Sequence, residues 1–372
     1  MLEIQKYLLS GKSVTNLKDE LGIKANSHYK YNNLIGFKYD QIDSPAGHPI
    51  VREARGLILD SEDDWKVVAH PFNRFYNYGE GHADTIDWSS ATVSEKVDGS
   101  ICILYHYKDE WHVATSGNPS ASGMIGAYTP GKWNIGDKEL PKPKTFAEYF
   151  WQVMNEKYTF PDNLPTNHCF MFELMGSMNR IVVLYKEPKL ALLGGRNLTT
   201  GKELTLVEAG QCIPNIPTVK TFNLSNIEDI LFTFDDMSPL SQEGYVVVDK
   251  NFNRIKIKSP AYIALHHSKS NFTFKTIVTI ALRGESSEVI AAFPEYKDDF
   301  MEVQRKIEEL VLDINNTYLK VKHIENQKEF ALAIKHTKIP SALFQMRSGK
   351  VSSAKEYLNN ININRVINFL GY

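Results

Sequence analysis

One lysine, in the run Lys96-Val97-Asp98-Gly99-Ser100, is followed in order by three further features. These are an acid within an apolar segment (Glu173), a second acid (Glu243) and the run Arg254-Ile255-Lys256-Ile257-Lys258. Singly, each is ordinary: a lysine in a K-x-D-G hairpin turn is commonly just solvated, and a basic strand is commonly an amphipathic surface strand. In this order they fit chemistry on a nucleoside triphosphate, with Lys96 as nucleophile. A lysine amine has an ordinary pKa of about 10.4. It attacks only when burial or neighbouring cations strip its proton, and Lys256 and Lys258 could be those cations. Strand side chains alternate between faces, so Arg254, Lys256 and Lys258 point one way and Ile255 and Ile257 the other. Three cations facing a triphosphate would offset its charge as pyrophosphate leaves. Asp98-Gly99 suits a tight turn, Gly99 lets backbone approach a ligand closely, and Ile101–Leu104 anchors the loop as a strand.

The acids and arginines extend the set. A carboxylate inside Phe170-Met171-Phe172-Glu173-Leu174 is costly unless paired or used. Glu173 either accepts hydrogen bonds from a ribose hydroxyl or pairs with an arginine such as Arg180. Glu243 precedes Gly244-Tyr245-Val246-Val247-Val248; it could orient a divalent cation or the nucleotide, or be a surface acid at a strand end. Arg55-Gly56, before Leu57-Ile58-Leu59, could aim a guanidinium at a phosphate or sugar. In Pro71-Phe72-Asn73-Arg74-Phe75-Tyr76-Asn77, Arg74 could hold phosphate while an aromatic packs the base. The alternative there is an edge strand with core aromatics.

Positioning these groups requires a strand-rich frame. Runs of Val, Ile, Tyr and Phe bounded by turn formers predict strands at 33–39, 55–60, 66–70, 101–107, 111–115, 169–174, 180–185, 189–194, 244–249 and 253–258. Helices are expected at 145–157 and 226–234, and a long Gly-, Pro- and Ser-containing loop at 117–142. After Lys258 the pattern turns helical. Phe300, Val303, Ile307, Leu310, Val311, Ile314 and Tyr318 recur at three- and four-residue steps, forming one apolar helix face. Short helices follow, broken near Pro340 and Gly349. The domain boundary is placed at 260: residues 1–260 form a mixed α/β domain and 261–372 an all-helical one.

Composition bounds the partners. The 372 residues carry a net charge of −2, so the chain is no generic polyanion binder and a nucleic-acid surface must be local. From Lys320 to Tyr372 there are nine Lys or Arg against three Glu. That is either a solvated surface or a face for a nucleic-acid backbone. Cys102, Cys169 and Cys212 lack metal-ligand spacing and read as structural thiols in a reducing compartment. No stretch is long enough to span a membrane and the start lacks a secretory pattern. The expected location is the cytoplasm, or the host cytoplasm for a phage-encoded chain.

With these residues in view, the chain resembles the ATP-dependent RNA ligases of the phage RNA ligase 1 family, within the covalent nucleotidyltransferases. The resemblance covers most of 33–283. It rests on Arg55-Gly56, Pro71–Asn77, Lys96–Ser100, Phe172-Glu173 with Asn179-Arg180-Ile181-Val182, Glu243–Val246 and Lys256-Ile257-Lys258-Ser259. Leu265-His266 and Phe274-Lys275-Thr276-Ile277 extend it. It implies an α+β fold: a nucleotidyltransferase domain of antiparallel sheets with flanking helices, then an all-helical C-terminal domain linked to RNA choice. It implies lysyl–AMP formation from ATP, transfer of AMP to an RNA 5′-phosphate, and attack by a 3′-hydroxyl, with magnesium throughout.

Carried over by position, Lys96 is the nucleophile, and Arg55, Arg74, Lys256 and Lys258 contact phosphates. Glu173 binds the ribose, and Glu243 assists the nucleotide and metal. Gly99 and Tyr39 contact the nucleotide, and Tyr262 serves use of the RNA 5′ end. The partner would be RNA, with repair of tRNA or other nicked loops as the setting and a monomer as the working state. The alternatives are a DNA ligase or capping enzyme, disfavoured because no oligonucleotide-binding barrel follows Lys258, and an RNA-binding protein with a dead pocket. Two positions depart from the family. Arg74 stands where lysine is usual, and Ser116-Gly117 stands where a basic residue usually precedes the glycine. Either one phosphate or sugar contact is missing there, or the following Gly-rich loop supplies a substitute.

Overall fold

Alternating apolar residues and turn formers fold the first part of the chain into antiparallel sheets. The computed structural model describes residues 1–125, 144–270, 273–284, 286, 289–290, 293 and 296–372. Two short helices open it, α1 (Glu3–Leu9) and α2 (Val14–Leu21), the latter capped by Ser13 and closed by Gly22 at φ 64°. Neither was expected. Strands β1 (Lys24–Ser27), β2 (Leu34–Lys38), β3 (Arg55–Asp60) and β4 (Lys66–Ala69) pair antiparallel in that order. Helix α3 (Pro49–Glu53) sits between β2 and β3.

Next come β5 (Tyr76–Asn77), β6 (Thr92–Lys96), β7 (Ser100–Tyr107), β8 (Glu110–Thr115), β9 (Met124–Ile125) and β10 (Lys144–Thr145). Helix α4 (Phe146–Lys157) starts with a reciprocal cap between Thr145 and Glu148. Strands β11 (His168–Met175), β12 (Lys189–Asn197) and β13 (Glu203–Leu204) follow, then α5 (Leu206–Cys212), β14 (Thr221–Phe222) and α6 (Ile227–Phe232). Last are β15 (Gly244–Val248), β16 (Arg254–Lys258) and α7 (Pro260–Ser270).

Two five-stranded sheets carry the candidate residues. One has the order β13-β12-β11-β7-β8 and the other β14-β6-β15-β16-β5. Within them only the β16–β5 pair is parallel. On β11, Phe170, Phe172 and Leu174 pack with Phe150, Val153 and Met154 of α4. The opposite face of β11 carries Cys169 and Met171 into a second cluster. In the other sheet Val93, Tyr245, Val247, Ile255 and Ile257 share a core with Ile230. The expected alternation of Ile255 and Ile257 against the basic residues is therefore present.

Lys96 closes β6 and Ser100 opens β7, strands of different sheets, so the alternative of a solvated hairpin turn does not hold for it. One expected strand needs correction. Residues 180–185 are not a strand. The backbone N–H groups of Val182 and Val183 go to the Asp98 carboxylate, and that of Leu184 to Leu240 O, so no ladder forms. Of Pro71–Asn77, only Tyr76–Asn77 is strand. Residues 126–142 of the expected 117–142 loop lie outside the described residues. The three cysteines are free, Cys102 and Cys169 buried.

The chain divides into two compact units, one ending at His266 and one from His267 to Tyr372. Every regular element described after Lys258 is a helix: α7, then Phe274–Arg283, Lys297–Val321, Gln327–Ile334, Pro340–Arg347, Ala354–Asn360 and Ile363–Phe369. The longest buries Phe300, Val303, Ile307, Leu310 and Ile314 on one face. Among the described residues no helix is long and apolar enough to cross a membrane.

Candidate active site

Three adjacent strands bring Lys96, Glu243 and Lys258 together. Gly244 is the register partner of Lys96 on one side and of Lys258 on the other, so both lysines rise from one row of the sheet. Gly244 has φ 150°, and a Cβ there would lie 2.1 Å from Ile257 O, so no side chain fits between them. Glu243, one residue earlier, reaches both. Its Oε2 accepts from Lys96 Nζ at 2.6 Å and its Oε1 from Lys258 Nζ at 2.8 Å. The Glu243 side chain is 4% exposed, those of Lys96 and Lys258 21% and 27%. One buried carboxylate thus balances two partly buried ammoniums.

Lys256 stands in the next row, opposite Val246. It has no carboxylate partner among the described residues. Burial, then the charges of Lys96, Arg55 and Lys258, push its amine down to about 8. Arg254 faces the same side but is already committed, contrary to the triphosphate-facing role expected of it. Its guanidinium pairs with Glu203 Oε1 and lies 4.2 Å over the Phe72 ring. Glu203 Oε2 holds Arg196 at 2.9 Å.

Glu173 enters from the other sheet, with Ile101 and Ala191 as register partners. It is half-buried and has no hydrogen-bond or ion-pair partner among the described residues. Burial pushes its carboxyl up to about 8; Lys96 opposes the rise, and Glu243 and Asp98 add to it. Arg180, its alternative partner, donates to Val182 O from Nε at 2.9 Å and Nη2 at 2.8 Å.

Lys96, Glu173 and Arg55 line one cleft of about 100 Å³ with Phe75, Val97, Leu193 and Val246. Through Ser94, Leu193, Val219, Val248 and Arg254 it continues into one of about 480 Å³. Arg74 lines a different, polar cleft of about 650 Å³ that shares Phe75 and Arg254 with the first. The Arg74 guanidinium stacks on Tyr39 at 4.1 Å and Tyr76 at 5.1 Å, and its buried Nη1 has no hydrogen-bond partner. Tyr39 therefore accompanies Arg74 and does not line the Lys96 cleft. A separate cleft of about 710 Å³ contains none of the expected residues.

Gly99 and Tyr262 each meet other protein groups. Gly99 approaches protein: a Cβ there would lie 2.4 Å from Leu174 O, so its missing side chain lets the lysine loop pass β11. Tyr262 is 1% exposed and donates its hydroxyl to Asp98 Oδ1 at 2.9 Å, so it meets the lysine loop through Asp98.

Asp98, read from the sequence only as a turn former, is the knot of the site. Its Oδ2 accepts from Val182 N at 2.8 Å and Val183 N at 2.7 Å, and its own N–H goes to Tyr185 Oη at 3.1 Å. Buried carboxylates need such donors, but the donors lie more than 80 residues away, beyond any local signal. Among the described residues no group of three or more His, Cys, Asp or Glu side chains could cage a metal. Glu243, paired with Lys96, and Glu173, in the same cleft, are two carboxylates near it. A magnesium ion held by one or two carboxylates plus substrate phosphates needs no larger set, so these residues fit one.

Comparison with known proteins finds a family for the chain. Residues 53–262 match a family described as RNA ligase. A putative bifunctional polynucleotide kinase/RNA ligase of Autographa californica nuclear polyhedrosis virus is 29% identical over 80% of this chain and 42% of its own length. An RNA ligase of Rhodothermus phage RM378 is 25% identical over 77% of this chain and 74% of its own. The chain thus spans less than half of the baculovirus protein. Among solved structures, a mutant Naegleria gruberi RNA ligase with ATP and Mn is 16% identical over 48% of this chain and 52% of its own, with a TM-score of 0.34. The family match takes in Lys96, Glu173, Glu243, Lys256 and Lys258 and extends over more than half of the sequence, and the chain belongs to the RNA ligase family.

Proposed function

We propose that this chain is an ATP-dependent RNA ligase that joins RNA 5′-phosphate and 3′-hydroxyl ends, with repair of broken RNA, tRNA included, as its setting. In the first step Lys96 Nζ loses a proton and forms a bond to the α-phosphorus of ATP. The bond from that phosphorus to the β-phosphate oxygen breaks, and pyrophosphate leaves. An RNA 5′-phosphate oxygen then attacks the same phosphorus, and the P–N bond breaks to return the lysine. Finally a 3′-hydroxyl attacks the activated 5′-phosphate, and AMP departs. Residues 1–260 would carry the adenylyl chemistry, and the helical residues 261–372 would select the RNA.

The observation that carries this reading is the Lys96–Glu243–Lys258 bridge, whose Lys96 lines the cleft shared with Glu173 and Arg55. For Lys96 to reach phosphorus the pair with Glu243 must open. Lys258 and Lys256 then remain as fixed cations for the phosphate oxygens, an arrangement that favours charge developing on the leaving group. Val97, Leu193, Val219 and Val246 give the base an apolar seat. Glu173, unpartnered and with its carboxyl near 8, can exchange hydrogen bonds with a ribose hydroxyl. Magnesium is the proposed metal, with Glu243 facing it; when bound it screens the phosphate charge. Arg55 in this cleft and Arg74 in the next, stacked on Tyr39, are the further phosphate contacts, with Tyr39 as a nucleotide contact. A monomer is the proposed working state.

Incubation with α-labelled ATP and magnesium tests the reading. The expected result is labelled protein, and sharply reduced label in Lys256→Ala and Lys258→Ala. Near-normal adduct in both would remove the role of the cationic strand. Label from GTP in place of ATP would point to a capping reaction.

A further inference from the structure

We infer that Lys38 is a phosphate-binding residue of this site, supplying the cation that Ser116-Gly117 lacks. The inference rests on the RNA ligase reading above. Ser116 and Gly117 form a tight turn after β8, in which Thr115 and Asn118 exchange backbone hydrogen bonds at 2.9 and 3.4 Å. The turn is pinned from several sides. Asn26 Nδ2 donates to Gly117 O at 2.8 Å, and Tyr105 Oη donates to Pro119 O at 2.7 Å. The Pro119 ring lies against Gly36, where a Cβ would sit 3.0 Å from Pro119 Cδ.

Gly36 and Lys38 are two residues apart on β2 and share the face that meets this turn. The Lys38 side chain accordingly runs over Gly117. A Cβ on Gly117 would lie 3.2 Å from Lys38 Cδ and 3.4 Å from its Nζ. The glycine leaves the space that the lysine stem occupies. On the other side Gly56, at φ 89°, brings the Ser116 Cα to 3.0 Å from where its own Cβ would stand. Arg55-Gly56, Ser116-Gly117 and Lys38 therefore meet at one place, although 78 residues separate Lys38 from Ser116 in the sequence.

The Lys38 ammonium has no carboxylate or hydrogen-bond partner among the described residues. Its register partner on β3 is Arg55, which lines the Lys96 cleft. Arg55 shares that cleft with Glu173, and the unpaired Lys38 ammonium beside the arginine is free to take a phosphate oxygen. That oxygen belongs either to the nucleotide or to the RNA 5′-phosphate, and the two steps of the reaction tell them apart.

The experiment measures lysyl–AMP formation from α-labelled ATP and, separately, transfer of AMP from isolated adduct to 5′-phosphorylated single-stranded RNA. It compares the parent, Lys38→Ala, Lys38→Arg and the double variant Lys38→Ala with Ser116→Lys. The expected result is a loss of about tenfold or more in one step for Lys38→Ala, at an unchanged melting temperature. Lys38→Arg should keep most of the rate, and Ser116→Lys should restore much of what Lys38→Ala loses. A loss confined to the first step assigns the oxygen to the nucleotide; a loss confined to the second assigns it to RNA. Parent-like rates for Lys38→Ala in both steps would overturn the inference and leave the ligase reading standing. So would a loss that neither Lys38→Arg nor Ser116→Lys relieves. A parent protein that forms no adduct would overturn the function and this inference together.

Discussion

Glu173 and Lys256 are both displaced toward pH 8 by burial, and the two displacements act on stability with opposite slopes. Between roughly pH 4 and about 8 the folded chain keeps a proton on Glu173 that the unfolded chain has released. Its contribution therefore lowers stability as pH rises through that window and is absent below it. For Lys256 the unfolded chain keeps the extra proton between about pH 8 and roughly 10.4. Its cost is present in full below that window and fades within it. Glu173→Gln should thus stabilise the protein at pH 9 by on the order of 2 kcal/mol and do nothing at pH 4. Denaturant titration at the two pH values checks this; equal effects would mean an ordinary carboxyl. Glu243→Ala, which strands two ammoniums, should destabilise by about 3 kcal/mol, read from the same titration. The sequence shows these residue types in order, but not which acid serves which base. Glu243 meets Lys96 and Lys258 only because Gly244 faces both in register. Arg254 misleads because its partner, Glu203, is 51 positions away.

Strand β6 was not legible in the sequence, although it ends in Lys96. Thr92-Val93-Ser94-Glu95-Lys96 offers one buried apolar side chain, Val93, and exists as a strand because β14 and β15 flank it. The error at 180–185 runs the other way. Ile181-Val182-Val183-Leu184-Tyr185 has strand composition, yet Asp98 takes two of its N–H groups. Propensity gives way to a tertiary partner in both cases. The cost of losing that partner is testable. Tyr262→Phe removes one hydrogen bond and should cost about 1 kcal/mol, whereas Asp98→Ala strands two buried N–H groups and should cost about 3 kcal/mol. Comparable small losses by thermal melting would mean that Asp98 does not hold the segment. Gly244→Ala should be worse than either, since its Cβ would overlap Ile257 O and separate β15 from β16; soluble protein with full adduct yield would contradict that.

The helical character of residues after Lys258 was readable because a long helix needs only a periodic apolar face, and Phe300 to Ile314 provide one. What those helices bind is not written in that period. A chain ending after Ser270 should retain adduct formation better than RNA joining; equal loss of both would make the tail plain structural support. All of these expectations depend on a covalent bond between Lys96 and AMP. Intact-mass spectrometry of the protein after incubation with ATP and magnesium reads that bond. The expected spectrum shows one added adenylyl group, located at Lys96, lost on addition of 5′-phosphorylated RNA and absent from Lys96→Ala. Unmodified protein, or an adenylyl group that survives in Lys96→Ala, would contradict it.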